Sequence, residues 1–355
     1  MSRKDFKEFY LEHILSFLWR QWSALGAAGG ARSDDPWAVD PEALLLFSIK
    51  VSRYEPRLFD EILSWLIANG KWIDLQKLRG IARRKDADTQ LLLSAIASFL
   101  TQEARSFKRK WEALKDLRKP DLNRKEETLF ISKEGKPFPR PGKPSEVFRA
   151  YGFIREEVKL RNLSRPAPVT QPYAIRFMLR ALFGLGSRAE CILYLLTHEA
   201  GHPAEIAREV GISVRAIQDA LIELAQSELV LTRSGGKRKI EYRLPQERWC
   251  EFLAGRSVSE TKPPLWLNWI DLFSGLSEVW DTLKRLEGIE SDYLRSSRLR
   301  ECMEAIGGEL SRSGLALPSI PGRDIPPERY EEAFMEFIAE VLGAQRGTDR
   351  QSKSS

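Results

Sequence analysis

Three cysteines and three histidines are all the thiol and imidazole chemistry that this chain of 355 residues carries. Cys191, Cys250 and Cys302 lie far apart and in no paired spacing. That argues against a disulfide framework or a four-sulfur zinc site, and for small buried thiols in a reducing cytosol. No run of about eighteen apolar residues occurs, and MSRKDFKEFYLEH lacks the continuous apolar core of a signal peptide, so no membrane span is expected and the chain reads as cytoplasmic. A Walker-type glycine loop, a GxGxxG after a strand and a GxSxG elbow are all missing, which leaves nucleotide and serine hydrolysis without support. GAAGG from Gly26 is flanked by helical sequence and reads as a flexible linker, while Asp34-Asp35 and Glu126-Glu127 read as solvated loop carboxylates. The expectation is a protein that is not an enzyme and needs no cofactor or metal.

What is present is a hydrophobic content of 43%, enough for two or three domains, with a charged fraction of 30% and a net charge of +6. A pI near 9.1 leans toward an anionic partner. From Phe6 to Leu25 apolar residues recur at three- and four-residue steps, and further helices are expected from Pro41, over Arg57 to Asn69, around Leu75 to Arg83 and from Ala87 to Leu117. These make an all-α N-terminal domain over residues 1–118. Residues 119–172 are rich in Lys, Pro and Gly and read as a basic linker with one strand-like run at Leu129 to Ser132. Residues 263–345 read as a helical C-terminal domain, with Trp266, Trp269, Phe273 and Trp280 along one stripe that suits a helical core, and residues 346–355 as a disordered tail.

Between them, residues 173–254 carry the most specific pattern. Ser187 can cap a helix that buries Ile192, Leu195 and Leu196; a break at Gly201-His202-Pro203 leads to a short helix, AEIAREV, that stops at Gly211. Ser213 then caps a third helix in which Ile217, Leu221 and Leu224 point inward and Val214, Arg215, Gln218 and Asp219 point out. LVLTRS and KIEYRL follow as two alternating strands joined across GGKRK. IAREVGISVRAIQDALIELAQSELV and this basic hairpin resemble the winged helix-turn-helix of bacterial transcriptional regulators, over roughly a fifth of the chain. LRALFGLGSRAECILYLL, leading into it, also resembles uncharacterised bacterial proteins and implies no activity.

The resemblance implies a mainly α fold with a central winged helix-turn-helix between two all-α domains, and sequence-specific binding of double-stranded DNA by a homodimer. Ser213, Val214, Arg215 and Gln218 would meet base edges or phosphates in a major groove, while Arg233, Lys237, Arg238, Lys239 and Arg243 would sit on phosphates or in the adjacent minor groove. Asp219 departs from the basic residue that many relatives carry there and would repel phosphate. The flanking helical domains would dimerise the protein or take a protein partner or a small-molecule effector. Two alternatives stand beside this reading. One is a winged-helix module that binds protein. The other is a zinc metalloprotease, because His198-Glu199-Ala200-Gly201-His202 matches the pattern of two histidines one helical turn apart with a glutamate to activate water. Gly201 and Pro203 oppose the continuous helix that this chemistry needs.

Overall fold

The computed structural model describes residues 2–28, 37–103, 108–120, 124–138, 142–169, 171–235, 239–254 and 265–344. Among the described residues the fold is mainly helical, with two small strand pairs. The helices start where short polar side chains can take up free backbone N–H groups. Ser2 and Asp5 form a reciprocal capping box on α1 (Arg3–Ala24). Asp40 accepts from the backbone N–H of Glu42 and Ala43 at the head of α2 (Pro41–Val51), where Pro41 presets the first turn. α3 (Pro56–Asn69) also opens on a proline, and Asp74 caps α4 (Leu75–Ala82). The single helix expected over Ala87 to Leu117 consists of α5 (Ala87–Glu103) and α6 (Lys108–Lys115), with residues 104–107 outside the described ones.

The remaining elements follow in order: β1 (Glu127–Thr128), α7 (Glu146–Arg149), β2 (Phe153–Ile154), α8 (Ile175–Phe183), α9 (Ser187–Thr197), α10 (Pro203–Val210) and α11 (Val214–Gln226). After these come β3 (Leu231–Gly235), β4 (Lys239–Arg243), α12 (Gln246–Ala254), α13 (Trp269–Arg285), α14 (Asp292–Arg312) and α15 (Pro327–Ala344). β1 and β2 pair in parallel, and β3 and β4 pair antiparallel with Leu231 opposite Arg243 and Gly235 opposite Lys239. Among the described residues no helix is long and apolar enough to cross a membrane. Residues 346–355, read as a tail, lie outside the described residues.

Two hydrophobic clusters organise these elements. The larger draws α1 to α6 together with α13, α14 and α15. Phe47 of α2 stacks on Phe273 of α13 with ring centres 4.5 Å apart, Trp22 meets Trp65 edge-on at 5.1 Å, and the Tyr10 hydroxyl donates to the Leu276 carbonyl at 2.7 Å. Residues 1–118 and 263–345, set apart by the sequence pattern, thus share one core. The reason is that an apolar stripe shows which face of a helix is covered, not which part of the chain covers it.

The 119–172 segment is likewise more than a connection. Leu129, Phe148 and Phe153 are fully buried in the same core, and the Arg155 guanidinium lies 5.2 Å from the ring centres of both Phe130 and Phe148. The strand expected at Leu129 to Ser132 is displaced to Glu127–Thr128, and Ile131 makes only an isolated bridge to Pro137. The second cluster packs α8 to α11 with Tyr242, Leu244 and Trp249.

Candidate nucleic-acid interface

α9 opens on Gly186 with φ 113° and no side-chain cap, so Ser187 is its first residue rather than its cap, a correction to the expected start. Its buried face includes Cys191, Ile192, Leu195 and Leu196, and burial pushes the Cys191 thiol up to about 12. The helix ends at Thr197, and the chain runs extended through His198. Gly201 and Tyr242 then exchange two backbone hydrogen bonds, of 2.9 and 3.0 Å, which attaches this short extended stretch to β4. A Cβ on Gly201 would lie 2.7 Å from Tyr194 Cε1, so only glycine lets the backbone pass this close.

His202 caps α10, and Gly211 ends it in the left-handed region at φ 74°. Ser213 Oγ accepts from Ala216 N–H at 3.4 Å to start α11, whose Ile217, Leu221 and Leu224 are buried against α9 and α10. Ser213, Val214, Arg215 and Gln218 are all exposed along one outer face.

The charge on this unit is balanced but segregated. Residues 187–244 hold eight basic and eight acidic side chains, yet five of the basic ones fall between 233 and 243, where Glu241 is the one acid. On α11, Arg215 is 92% exposed and 3.9 Å from Asp219, and Glu223 pairs with Arg188 at 2.5 Å. Arg233 is engaged twice, at 2.7 Å with Glu199 and at 2.8 Å with Glu241, and both hydrogen bonds hold its proton more firmly. Strand alternation puts Arg233, Glu241 and Arg243 on the face opposite the buried Tyr242, and Arg243 is exposed. Lys237 and Arg238 lie outside the described residues, as does the side chain of Lys239 in β4.

A buried ionic network fixes this unit to the helical body. α8 supplies Arg176 and Arg180, α9 supplies Glu190, and the body supplies Asp40, Glu42 and Lys77; all six are buried. Arg180 binds Glu42 through two hydrogen bonds of 2.8 Å and reaches Glu190 at 2.8 Å; Arg176 pairs with Glu190; Lys77 donates to Asp40 at 2.5 Å. Three cations and three carboxylates cancel. Burial pushes the Asp40 carboxyl up, but Lys77 and Arg176 outweigh that and hold it well below the ordinary carboxylate range. Burial pushes the Lys77 ammonium down against the pull of Asp40. For Arg180 the Glu42 carboxylate outweighs burial and raises it.

The zinc-protease pattern falls in the extended stretch between α9 and α10. His198 is extended at φ −127° and ψ 151°, and His202 is the cap of the next helix, so the two do not share one helical face. The His198 ring stacks on Tyr194 with centres 3.9 Å apart and meets Trp266 edge-on at 5.4 Å, which makes it a packing residue at the boundary with the body. Among the described residues no group of three His, Cys, Asp or Glu side chains is placed to hold a metal ion.

No known protein family, characterised protein or solved structure matches this chain.

Sequence reasoning missed the six buried charges and the pairing of Arg233 with Glu199. A signal for the first was available. Arg176 and Arg180 sit one turn apart beside the apolar Phe177 and Leu179, and Glu190 sits within the apolar run from Ala189 to Leu196. Charges at such positions are either buried in pairs or facing solvent, and spacing does not distinguish the two.

Proposed function

We propose that residues 187–244 form a winged helix-turn-helix that binds double-stranded DNA, and that the protein is a transcriptional regulator rather than an enzyme. The observation that carries this reading is the outer face of α11, exposed at Ser213, Val214, Arg215 and Gln218 and lying in the same unit as a strand pair that carries Arg233, Lys239 and Arg243. The order of elements agrees with it: helix, an extended stretch paired to β4, helix, a glycine turn, a capped helix and an antiparallel hairpin. Arg215 and Gln218 have the donor geometry for guanine and adenine edges, Ser213 and Val214 lie beside them, and Lys237, Arg238, Lys239 and Arg243 serve the phosphates. Arg233, already held by Glu199 and Glu241, is a positioning residue for the hairpin in this scheme. Two copies on half-sites about one DNA turn apart, roughly 34 Å, complete the arrangement.

The test is a salt titration of DNA binding by the full chain. Lys237, Arg238 and Lys239 changed together to Ala weaken binding to every sequence, and each lost phosphate contact removes about 0.9 from the slope of log affinity against log salt. A triple variant that binds DNA unchanged across the titration overturns the assignment of the hairpin. A second reading, docking onto a protein, draws on one observation: Asp219 and Glu223 place negative charge on the exposed side of α11. It requires a co-purifying partner and no DNA affinity at low salt.

A further inference from the structure

Between α2, the turn from α4 to α5, α13 and α14 lies a cavity of about 220 Å³. That is smaller than the roughly 300 to 1,000 Å³ of drug-sized sites and suits a small metabolite. Phe47, Phe273, Ile81 and Ile270 give it an apolar lining. Lys50 also lines it, but Asp281 at 2.6 Å and Asp86 at 3.6 Å neutralise its charge. Lys85 and Glu309 differ: both line the cavity and both are half-buried, and although they attract one another and Ser274 hydrogen-bonds Glu309, neither is held in a close ion pair with another described residue. Burial pushes the Lys85 ammonium down and the Glu309 carboxyl up, outweighing their mutual attraction and the Ser274 hydrogen bond, so each charged form is left short of the solvation that a ligand of opposite charge would restore.

Two residues that line the cavity also pack on the turn between α10 and α11. A Cβ built on Gly211 would lie 2.6 Å from Ile270 Cδ1 and 3.3 Å from Ile81 Cγ1, so the two lining isoleucines press directly on the glycine that sets the direction of α11.

We infer that this cavity binds one α-amino acid with an apolar side chain, its carboxylate on Lys85, its ammonium on Glu309 and its side chain among Phe47, Phe273, Ile81 and Ile270. Its presence alters how Ile81 and Ile270 pack on Gly211 and so changes the affinity of α11 for DNA. This second half rests on the DNA-binding reading; the first does not.

Isothermal titration of the full chain with L-phenylalanine and with L-leucine tests it. Saturable binding of at least one, with one molecule per chain, is expected. Lys85→Met and Glu309→Gln each weaken it by about tenfold or more, the loss of one charge-assisted contact. Phenethylamine and 3-phenylpropionate, each lacking one of the two charges, bind weaker by a similar factor of about ten. Ser277→Leu, which narrows the cavity and removes only a hydrogen bond to the Phe273 carbonyl of its own helix, weakens binding while the thermal midpoint holds, separating a blocked site from a misfolded variant. No binding of either amino acid, or binding that neither charge variant weakens, overturns the cavity assignment. DNA affinity is then measured with and without the bound amino acid, and a change of about fivefold or more is expected. Amino-acid binding with unchanged DNA affinity overturns the coupling alone. Absence of any DNA binding overturns the proposed function, while the calorimetry still decides the cavity.

Discussion

α2 and α11 are helices of similar length with opposite surroundings. Every residue of α2 except Lys50 is buried, whereas α11 buries Ile217, Ala220, Leu221 and Leu224 and leaves Val214, Arg215, Gln218, Asp219, Ile222 and Glu223 exposed. The first is covered by its own chain on all sides. The second keeps a polar outer face that folding does not use and that is therefore free to be shaped by a partner. The buried ionic network lies between the two regimes: its charges satisfy one another rather than water or ligand, and it joins the body to the unit that carries α11.

The largest effect that would sharpen this contrast is expected in the network. Glu190→Ala takes from Arg176 its close carboxylate and from Arg180 one of its two, which leaves an uncompensated buried positive charge and costs about 3 to 5 kcal/mol, read from urea unfolding of the full chain. A cost under about 1 kcal/mol would show that the network is solvated and that the body and the α11 unit are held by apolar packing alone.

Next in size is Leu221→Ala, which opens a cavity under α11 and costs about 2 to 5 kcal/mol by the same measurement. If Leu221→Ala also lowers DNA affinity by no more than its loss of folded protein, the outer face of α11 is independent of how tightly its inner face is packed.

Arg215→Ala and Gln218→Ala lie on the other side of the contrast. Each is expected to change base preference by about 1 to 3 kcal/mol in a competition assay with sequence variants, and to leave the thermal midpoint unchanged because neither side chain is buried. A drop in midpoint with unaltered base preference would mean that α11 is structural.

The smallest effect concerns acid. Asp40 has a folded pKa held below its ordinary value, so the stability it contributes is present above about pH 4 and is lost as pH falls from there through the depressed value. Asp40→Asn keeps a side chain able to cap α2 and is expected to flatten the decline of stability below about pH 4, measured by unfolding at a series of pH values. An unchanged acid limb would place the acid-sensitive charges elsewhere.

Much of the unit around α11 was legible beforehand because its signals are local. Gly211 ends one helix and Ser213 starts the next through the backbone and side chain of the residues themselves, and the alternation in LVLTRS and KIEYRL needs only the two strands it pairs. The proline and glycine around His202 were enough to foresee that HEAGH would not be one helix. The fate of the charges was not legible in the same way. Arg233 reads as a free cation until Glu199, 34 residues earlier, is brought to 2.7 Å by the extended stretch between α9 and α10.

What the sequence by itself determined is where most helices begin and end and which of their faces are apolar, because caps, turn glycines and a period of 3.6 act within one or two turns. What only the tertiary structure decided is what covers those faces. It put α13 to α15 on α1 and α2, drew Leu129, Phe148 and Phe153 of an apparent linker into the same core, and closed Asp40, Glu42, Lys77, Arg176, Arg180 and Glu190 into one network. The physical reason is that burial and charge pairing depend on distance in space between residues up to 328 positions apart, as with Arg3 and Glu331, and local pattern carries no information on that distance.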